Sequence, residues 1–249
     1  MPQRYALRHC FLCCFFARLV RLMAETVIET RKLYKIFRLG EEKVRALNGV
    51  NLKVNKGEFV AIVGTSGSGK STLLNMLAGL DRPTKGDVVI AGRHIEKMSE
   101  GELVRFRRDH VGFIFQAYDL LPQFDAVENV ALPLAFRGVS AGVRRKKAEV
   151  ILKNVGLEKY MRHRPTQMSG GQQQRVGIAR ALVSGPEIIF ADEPTGNLDT
   201  KTTLEVLHLL QEVVHDQGNT LVMVTHDNNL AGFADRRVHI LDGEIVYED

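Results

Sequence analysis

Eight consecutive residues, Gly64-Thr65-Ser66-Gly67-Ser68-Gly69-Lys70-Ser71, space their glycines, lysine and hydroxyl as G-x-x-x-x-G-K-[ST]. Glycines at that spacing let successive backbone N–H groups turn towards one point, where they can hold phosphate oxygens. Lys70 then reaches the β- and γ-phosphates, and Ser71, followed by Thr72, brings a hydroxyl that can ligate Mg²⁺. The flanks read as the elements this chemistry needs. Phe59–Val63 is an apolar run with strand character, and the residues from Ser71 to Leu77 read as a helix whose N-terminus adds a positive dipole end. A glycine-rich turn with no ligand is the bland alternative. Lysine and serine in register, with a strand before and a helix after, weigh against it.

A second acidic element lies further along. Ile188-Ile189-Phe190-Ala191 reads as a buried parallel strand and ends in Asp192-Glu193. Ligands of open parallel sheets collect at that carboxyl edge. Asp192 is expected to hold Mg²⁺ through water, and Glu193 to polarise the water attacking the γ-phosphate. The run Thr220–Thr225 ends at His226, which is expected to touch the γ-phosphate and keep Glu193 and the water in line. Taken alone, the two carboxylates read as a solvated strand end and the histidine as a structural one. The phosphate loop upstream is what gives them chemistry. No N-K-x-D motif is present, which weighs against a GTPase.

Met168-Ser169-Gly170-Gly171-Gln172 resembles the L-S-G-G-Q signature of ATP-binding cassette (ABC) ATPases, with methionine replacing leucine at similar volume. The resemblance spans residues 24–249. It implies an α/β fold: a P-loop NTPase cassette with a mostly parallel, RecA-like core sheet flanked by helices, an antiparallel β subdomain, and a helical, signature-bearing subdomain at about residues 118–168. The family's Q-loop glutamine, which contacts Mg²⁺, falls on Gln116 after Val111–Phe115. The D-loop falls on Asn197-Leu198-Asp199 and the switch histidine on His226. The aromatic that stacks on adenine falls on Phe37, with Tyr34 as the nearer alternative and plain strand core as the bland one. Ser169 is also a good N-cap for a helix running from Gln172 to about Leu182, so its free N–H groups make a second anion site.

The resemblance further implies a homodimer. The phosphate loop of one copy and the signature of the other hold each ATP, because the two lie on different lobes of one chain. Lys70, Gln116, Glu193 and His226 would then be catalytic. Phe37, residues 64–72, Ser169, Gly170, Gly171, Gln172 and Asp199 would bind nucleotide, and Ser71, Gln116 and Asp192 would hold the metal.

Narrower features resemble the lipoprotein-releasing, macrolide-exporting and cell-division ABC ATPases. They include Phe113-Ile114-Phe115-Gln116, Leu120-Leu121-Pro122, Glu128-Asn129-Val130, Leu132-Pro133-Leu134, His163-Arg164-Pro165 and the segment from Ala191 to Asp199. This clade implies a separate integral membrane permease as partner, and a place on the cytoplasmic face of the inner membrane. A soluble ABC ATPase of DNA repair or chromosome organisation is the alternative. Such proteins insert long coiled coils between phosphate loop and signature, and only about a hundred heptad-free residues separate them here.

At 249 residues, 45% hydrophobic and 25% charged, the composition is that of an ordinary globular chain, and no apolar run reaches the roughly 20 residues of a membrane span. The net charge is +5, but Arg4, Arg8, Arg18 and Arg21 sit in an acid-free stretch over residues 1–22 and account for all but one of it. A nucleic-acid-binding surface is therefore not indicated. The three cysteines, Cys10, Cys13 and Cys14, also lie there, so the rest of the chain can form no disulfide with itself.

Along the chain, Val27–Phe37, Ala46–Val54 and Gly86–Ala91 read as the antiparallel portion. The residues from Tyr118 to about Gln167 read as helical, with a helix over Arg144–Val155. Thr202–His215 reads as an amphipathic helix, and Asp242-Gly243 as the two-residue turn of a final hairpin. Three readings are weighed for residues 1–22: an extension ahead of a start at Met23, a membrane-surface helix with Phe11, Phe15, Leu19 and Leu22 on one face, and a Cys-x-x-Cys metal or redox site, against which stands the lack of partner ligands nearby in the chain. Deleting residues 1–22 lowers liposome binding under the second reading and leaves partitioning unchanged under the first.

Overall fold

The computed structural model describes residues 25–40 and 42–249. The stretch over residues 1–22, with its cysteines, lies outside them. In chain order the strands are β1 (Thr26–Leu39), β2 (Glu42–Asn55), β3 (Phe59–Val63), β4 (Lys85–Ile90), β5 (Arg93–His94), β6 (Val111–Ile114), β7 (Ile188–Asp192), β8 (Thr220–Thr225), β9 (Arg236–Leu241) and β10 (Glu244–Glu248). The helices are α1 (Lys70–Leu77), α2 (Glu100–His110), α3 (Ala126–Phe136), α4 (Ala141–Asn154), α5 (Gly170–Leu182), α6 (Thr200–Gln217) and the single turn α7 (Asn228–Ala231).

Two sheets form. One is antiparallel, in the order β2-β1-β4-β5, and the other runs β10-β9-β3-β8-β7-β6. In the second sheet, β9, β3, β8, β7 and β6 are parallel, and β10 pairs antiparallel at its edge. Strands β3, β7 and β8 are buried along nearly all their length because both faces of the sheet are covered, and their sequences are accordingly apolar apart from Asp192 at the end of β7 and the threonines Thr220 and Thr225 that bound β8. The two-residue side-chain period sorts them cleanly. Val60, Ile62, Phe190, Val222 and Val224 face the cluster shared with α1 and the antiparallel sheet. Phe59, Ala61, Ile189, Leu221 and Met223 face the cluster shared with α5 and α6. Each fully buried side chain of that size is worth about 1.5–3 kcal/mol. This rigid double-sided core fixes where the strand ends lie.

A third cluster joins α3 and α4 to the start of α5 through Val127, Val130, Leu134, Ala148, Leu152, Met168 and Val176. The sequence reading of continuous helical character from Tyr118 needs correction at its start. Residues 115–125 form turns, with Tyr118 (φ 63°) and Asp119 (φ 48°) both left-handed, and α3 begins only at Ala126. The Asp125 side chain caps that helix with a reciprocal Glu128 contact, so helix formation waits for the cap. Signature helix α5 likewise starts at Gly170, two residues before the expected Gln172, because Ser169 caps it directly.

Asn129 ties the irregular segment to α3. Its side chain is fully buried, accepts from Leu121 N at 2.8 Å, and donates to the carbonyls of Leu121, Phe124 and Asp125 at 3.1–3.2 Å. Removing it leaves a cavity and takes away the partners of a part-buried backbone donor and three carbonyls. Asn129→Ala is therefore expected to lower stability by about 3 kcal/mol in urea unfolding; a loss under about 1 kcal/mol would mean that water replaces the amide at no cost.

Candidate functional site

The C-terminal ends of three adjacent strands, β3, β8 and β7, converge on one edge. The phosphate loop leaves β3 there and runs straight into α1. Gly69 caps α1 at φ 101°, and a Cβ at that position would collide with the Ala46 carbonyl oxygen, so both conformation and space demand glycine. Lys70 is buried, 6% exposed, and its Nζ donates to the Thr65 carbonyl at 2.7 Å, curling the loop over the ammonium. Burial pushes the Lys70 pKa below its ordinary value, opposed by the nearby charges of Glu193 and Asp192.

Across the edge, Ser71 Oγ donates to Asp192 Oδ1 at 3.2 Å. Burial raises the Asp192 pKa, with the Ser71 hydrogen bond working the other way. A desolvated carboxylate beside a hydroxyl is a hard-oxygen donor set that fits Mg²⁺. Glu193 follows at φ 44°, a strained conformation for a residue with a side chain, and its N–H donates to the Val224 carbonyl of β8 at 3.0 Å. That bond turns the carboxylate towards His226, whose Nδ1 lies 3.0 Å from Glu193 Oε1.

These groups line a cavity of about 690 Å³ formed by Thr65, Ser66, Gly67, Gly69, Lys70, Ser71, Thr72, Glu193 and His226, closed on one side by Val44, Arg45 and Ala46 of β2. The three β2 residues were not among the candidates from sequence. Their place follows from the β1–β2 register, in which Val44 pairs with Phe37. Phe37 itself is 39% exposed and does not line the cavity; Lys35 Nζ sits 5.0 Å above its ring. Gly64 and the buried Ser68 do not line this cavity. A larger cavity, about 770 Å³, lies at the opposite strand ends around Lys56, His110 and Glu187, where neither glycine loop nor adjacent carboxylates occur.

The other candidates sit apart from this cavity. Gln116, beyond β6, packs its amide over Gly196, and its carbonyl accepts from Asn197 Nδ2 at 3.1 Å. Asp199 caps α6: it accepts from Thr202 N at 3.1 Å and from Thr202 Oγ1 at 2.6 Å, and that hydroxyl holds its pKa below the usual aspartate range. The D-x-x-T spacing is the sequence sign of this role.

The signature forms its own site. Ser169 Oγ accepts from Gln172 N at 3.3 Å while Ser169 N donates to Gln172 Oε1 at 3.0 Å, a reciprocal cap worth about 1 kcal/mol. Ser169, Gly171, Gln172 and Arg175 border a second, smaller cavity of about 230 Å³ with Thr202 and Glu205 of α6. It shares no lining residue with the phosphate cavity. The turn after Gln116 is held to α5 by Arg180, which donates to the carbonyls of Tyr118 and Asp119.

A left-handed glycine loop on a parallel strand, two carboxylates and a histidine at the same edge, and a second helix N-terminus elsewhere define a nucleotide-hydrolysing cassette. Comparison with known proteins agrees. Residues 47–196 match the family model for ABC transporters. The chain is 51% identical over 219 residues to an ABC transporter ATP-binding protein of Thermotoga maritima, covering 88% of this chain and 93% of that one. It is 50% identical over 224 residues to the macrolide export ATP-binding/permease protein MacB of Hahella chejuensis, covering 90% of this chain but only 34% of that relative. The dimeric cassette MJ0796, solved in a post-hydrolysis state bound to ADP and Pi, superposes with a TM-score of 0.83 at 46% identity, covering 89% of this chain and 97% of that one. The chain belongs to the ABC transporter family and is an ATP-binding, ATP-hydrolysing cassette.

Proposed function

We propose that this cassette is the motor subunit of an exporter or mechanical transmission complex, in which ATP closes a homodimer and hydrolysis reopens it to drive a separate membrane permease. One observation carries the reading: the phosphate loop and the signature of a single chain line cavities with no residue in common. Each is a helix N-terminus suited to anions, and a second copy turned head to tail would unite them on one nucleotide. The dimeric form of the similar cassette MJ0796 supports this.

Within the shared site, backbone N–H groups of residues 64–72 and Lys70 would hold the β- and γ-phosphates. Ser71 and Asp192 would hold Mg²⁺, with Gln116 joining them by swinging off Gly196. The metal would neutralise phosphate charge. Glu193 would orient the water, with His226 fixing its carboxylate. Val44 and its cross-strand partner Phe37 would flank the adenine, while Ser169 to Gln172 and Asp199 of the second copy would complete the pocket.

The membrane partner is supported from another side. The Hahella relative's name joins ATP-binding to permease, and this chain spans about a third of its length; among the described residues no helix is long and apolar enough to cross a membrane. A cavity of about 520 Å³ between α2, β6 and α3 presents Val104, Phe113, Phe115, Pro133 and Phe136, with Phe136 75% exposed and Arg107 and Arg108 at its rim. Such an apolar groove suits a short helix from a permease loop. The working location is then the cytoplasmic face of the inner membrane, with macrolide, peptide or lipoprotein as cargo and the helical unit at residues 118–168 as transmitter.

Glu193→Gln tests the chemistry. Turnover should fall by about two to three orders of magnitude while ATP affinity stays within about twofold, since the amide keeps the shape but cannot take a proton. Turnover near that of the unaltered chain would remove Glu193 from its role.

A further inference from the structure

The turn of the last hairpin reaches the phosphate loop through the main chain of one residue. Gly243 N–H donates to the Ser68 carbonyl at 3.0 Å, and the Gly243 carbonyl accepts from Asn48 N at 2.9 Å. One peptide unit on each side of Gly243 thus links the phosphate loop to β2. Asp242 and Gly243 both have positive φ, 48° and 79°, the geometry of a tight turn between β9 and β10. A Cβ on Gly243 would lie 2.7 Å from the Ala46 oxygen and 3.0 Å from Leu47 Cα, main-chain atoms that cannot rotate aside. The same Ala46 oxygen lies against Gly69 on its other side, so a strand carbonyl is sandwiched between two glycines. Two residues before the turn, the Ile240 carbonyl packs against Gly64 at the loop's start. Glu244, just after it, accepts from Asn48 Nδ2. The hairpin therefore grips the phosphate loop at Gly64 and Ser68 and braces Ala46, a wall of the nucleotide cavity.

We propose that Gly243 is a positioning residue for nucleotide: the β9–β10 turn sets the height of the phosphate loop against the β2 edge, and only a residue without a Cβ lets it seat. Gly243 acts through Ser68 and Ala46 and touches no nucleotide itself. The proposal rests on reading residues 64–72 as the phosphate cradle.

Gly243→Ala is compared with Gly218→Ala, a control at the end of α6 that also has positive φ (72°) but open space where the Cβ would go. Both substitutions carry the same kind of backbone strain, and both are expected to lower the melting temperature. Only Gly243→Ala should raise the Kd and KM for Mg-ATP, by about tenfold, with kcat kept within about twofold, because the misplaced loop loses about one hydrogen bond's worth of phosphate contact. Equal affinity in the two variants would overturn the proposal. Lys70→Ala separates the layers: if it also binds ATP normally, the cradle reading itself fails, whereas normal binding by Gly243→Ala alone sinks only this inference. Should Gly243→Ala not fold, amide exchange on the unaltered protein decides. The Gly243 N–H should exchange more slowly once Mg-ADP is added, and an unchanged rate would overturn the proposal.

Discussion

On the proposed reading, backbone N–H groups at the start of α1 are the donors that hold the nucleotide, and they can point at one anion only if the loop before them is held without side chains in the way. That need explains the crowding around the loop. Gly69 presses on the Ala46 carbonyl, and the Lys70 ammonium holds the Thr65 carbonyl from within. The rigid sheet supplies the rest. Because β3, β8 and β7 are buried on both faces, their carboxyl ends cannot shift independently, and the hydroxyl of Ser71, the carboxylate of Asp192 and the pair Glu193–His226 stay within reach of one another. Burial has a chemical effect as well, since it raises the Asp192 pKa and lowers that of Lys70, leaving both groups poised for an ionic ligand.

A second helix N-terminus repeats the same physics with weaker means. At Ser169 the side-chain hydroxyl accepts from Gln172 N and the Gln172 side chain accepts from Ser169 N, whereas the phosphate loop aims its N–H groups by glycine geometry and adds the Lys70 ammonium as a further donor. An anion site built from a cap alone offers little charge, which is a physical reason for it to complete a pocket and not to found one. Its helix packs on the sheet and α6 through Ile178, Ala181 and Leu182, and Arg180 on the same helix pins the left-handed turn at Tyr118 and Asp119. Gln116 and Asn197 meet beside that turn. The signature helix, the segment after β6 and the segment after β7 therefore form one mechanical unit.

Much of the fold is legible in local patterns. The run Ile188–Ala191 is apolar at every position because both its faces are covered, and Asp242-Gly243 is a tight turn because both residues accept positive φ. The cap at Ser169 could be read because serine and glutamine three residues apart satisfy each other's main chain. What escaped the sequence is set by distant partners. Val44, Arg45 and Ala46 reach the phosphate cavity because β2 is in register with a bulged β1. Nothing in Tyr118-Asp119 announces left-handed backbone, since the stabilising guanidinium comes from Arg180, some sixty residues on. The side chain of Gln116 lies over Gly196 for the same reason: its neighbour belongs to a segment after another strand. Asp199 shows the opposite case, where a residue expected from the sequence to bind nucleotide is seen to cap a helix end.

In the proposed dimer one nucleotide joins two separate anion sites, and small-angle scattering on the Glu193→Gln protein measures that directly. Saturation with Mg-ATP should double the scattering mass, and adding Ser169→Arg, which places a bulky cation at the helix cap, should restore the mass of a single chain while ATP remains bound. A hydrolysis-dead protein that binds ATP fully and still scatters as single chains would contradict the account.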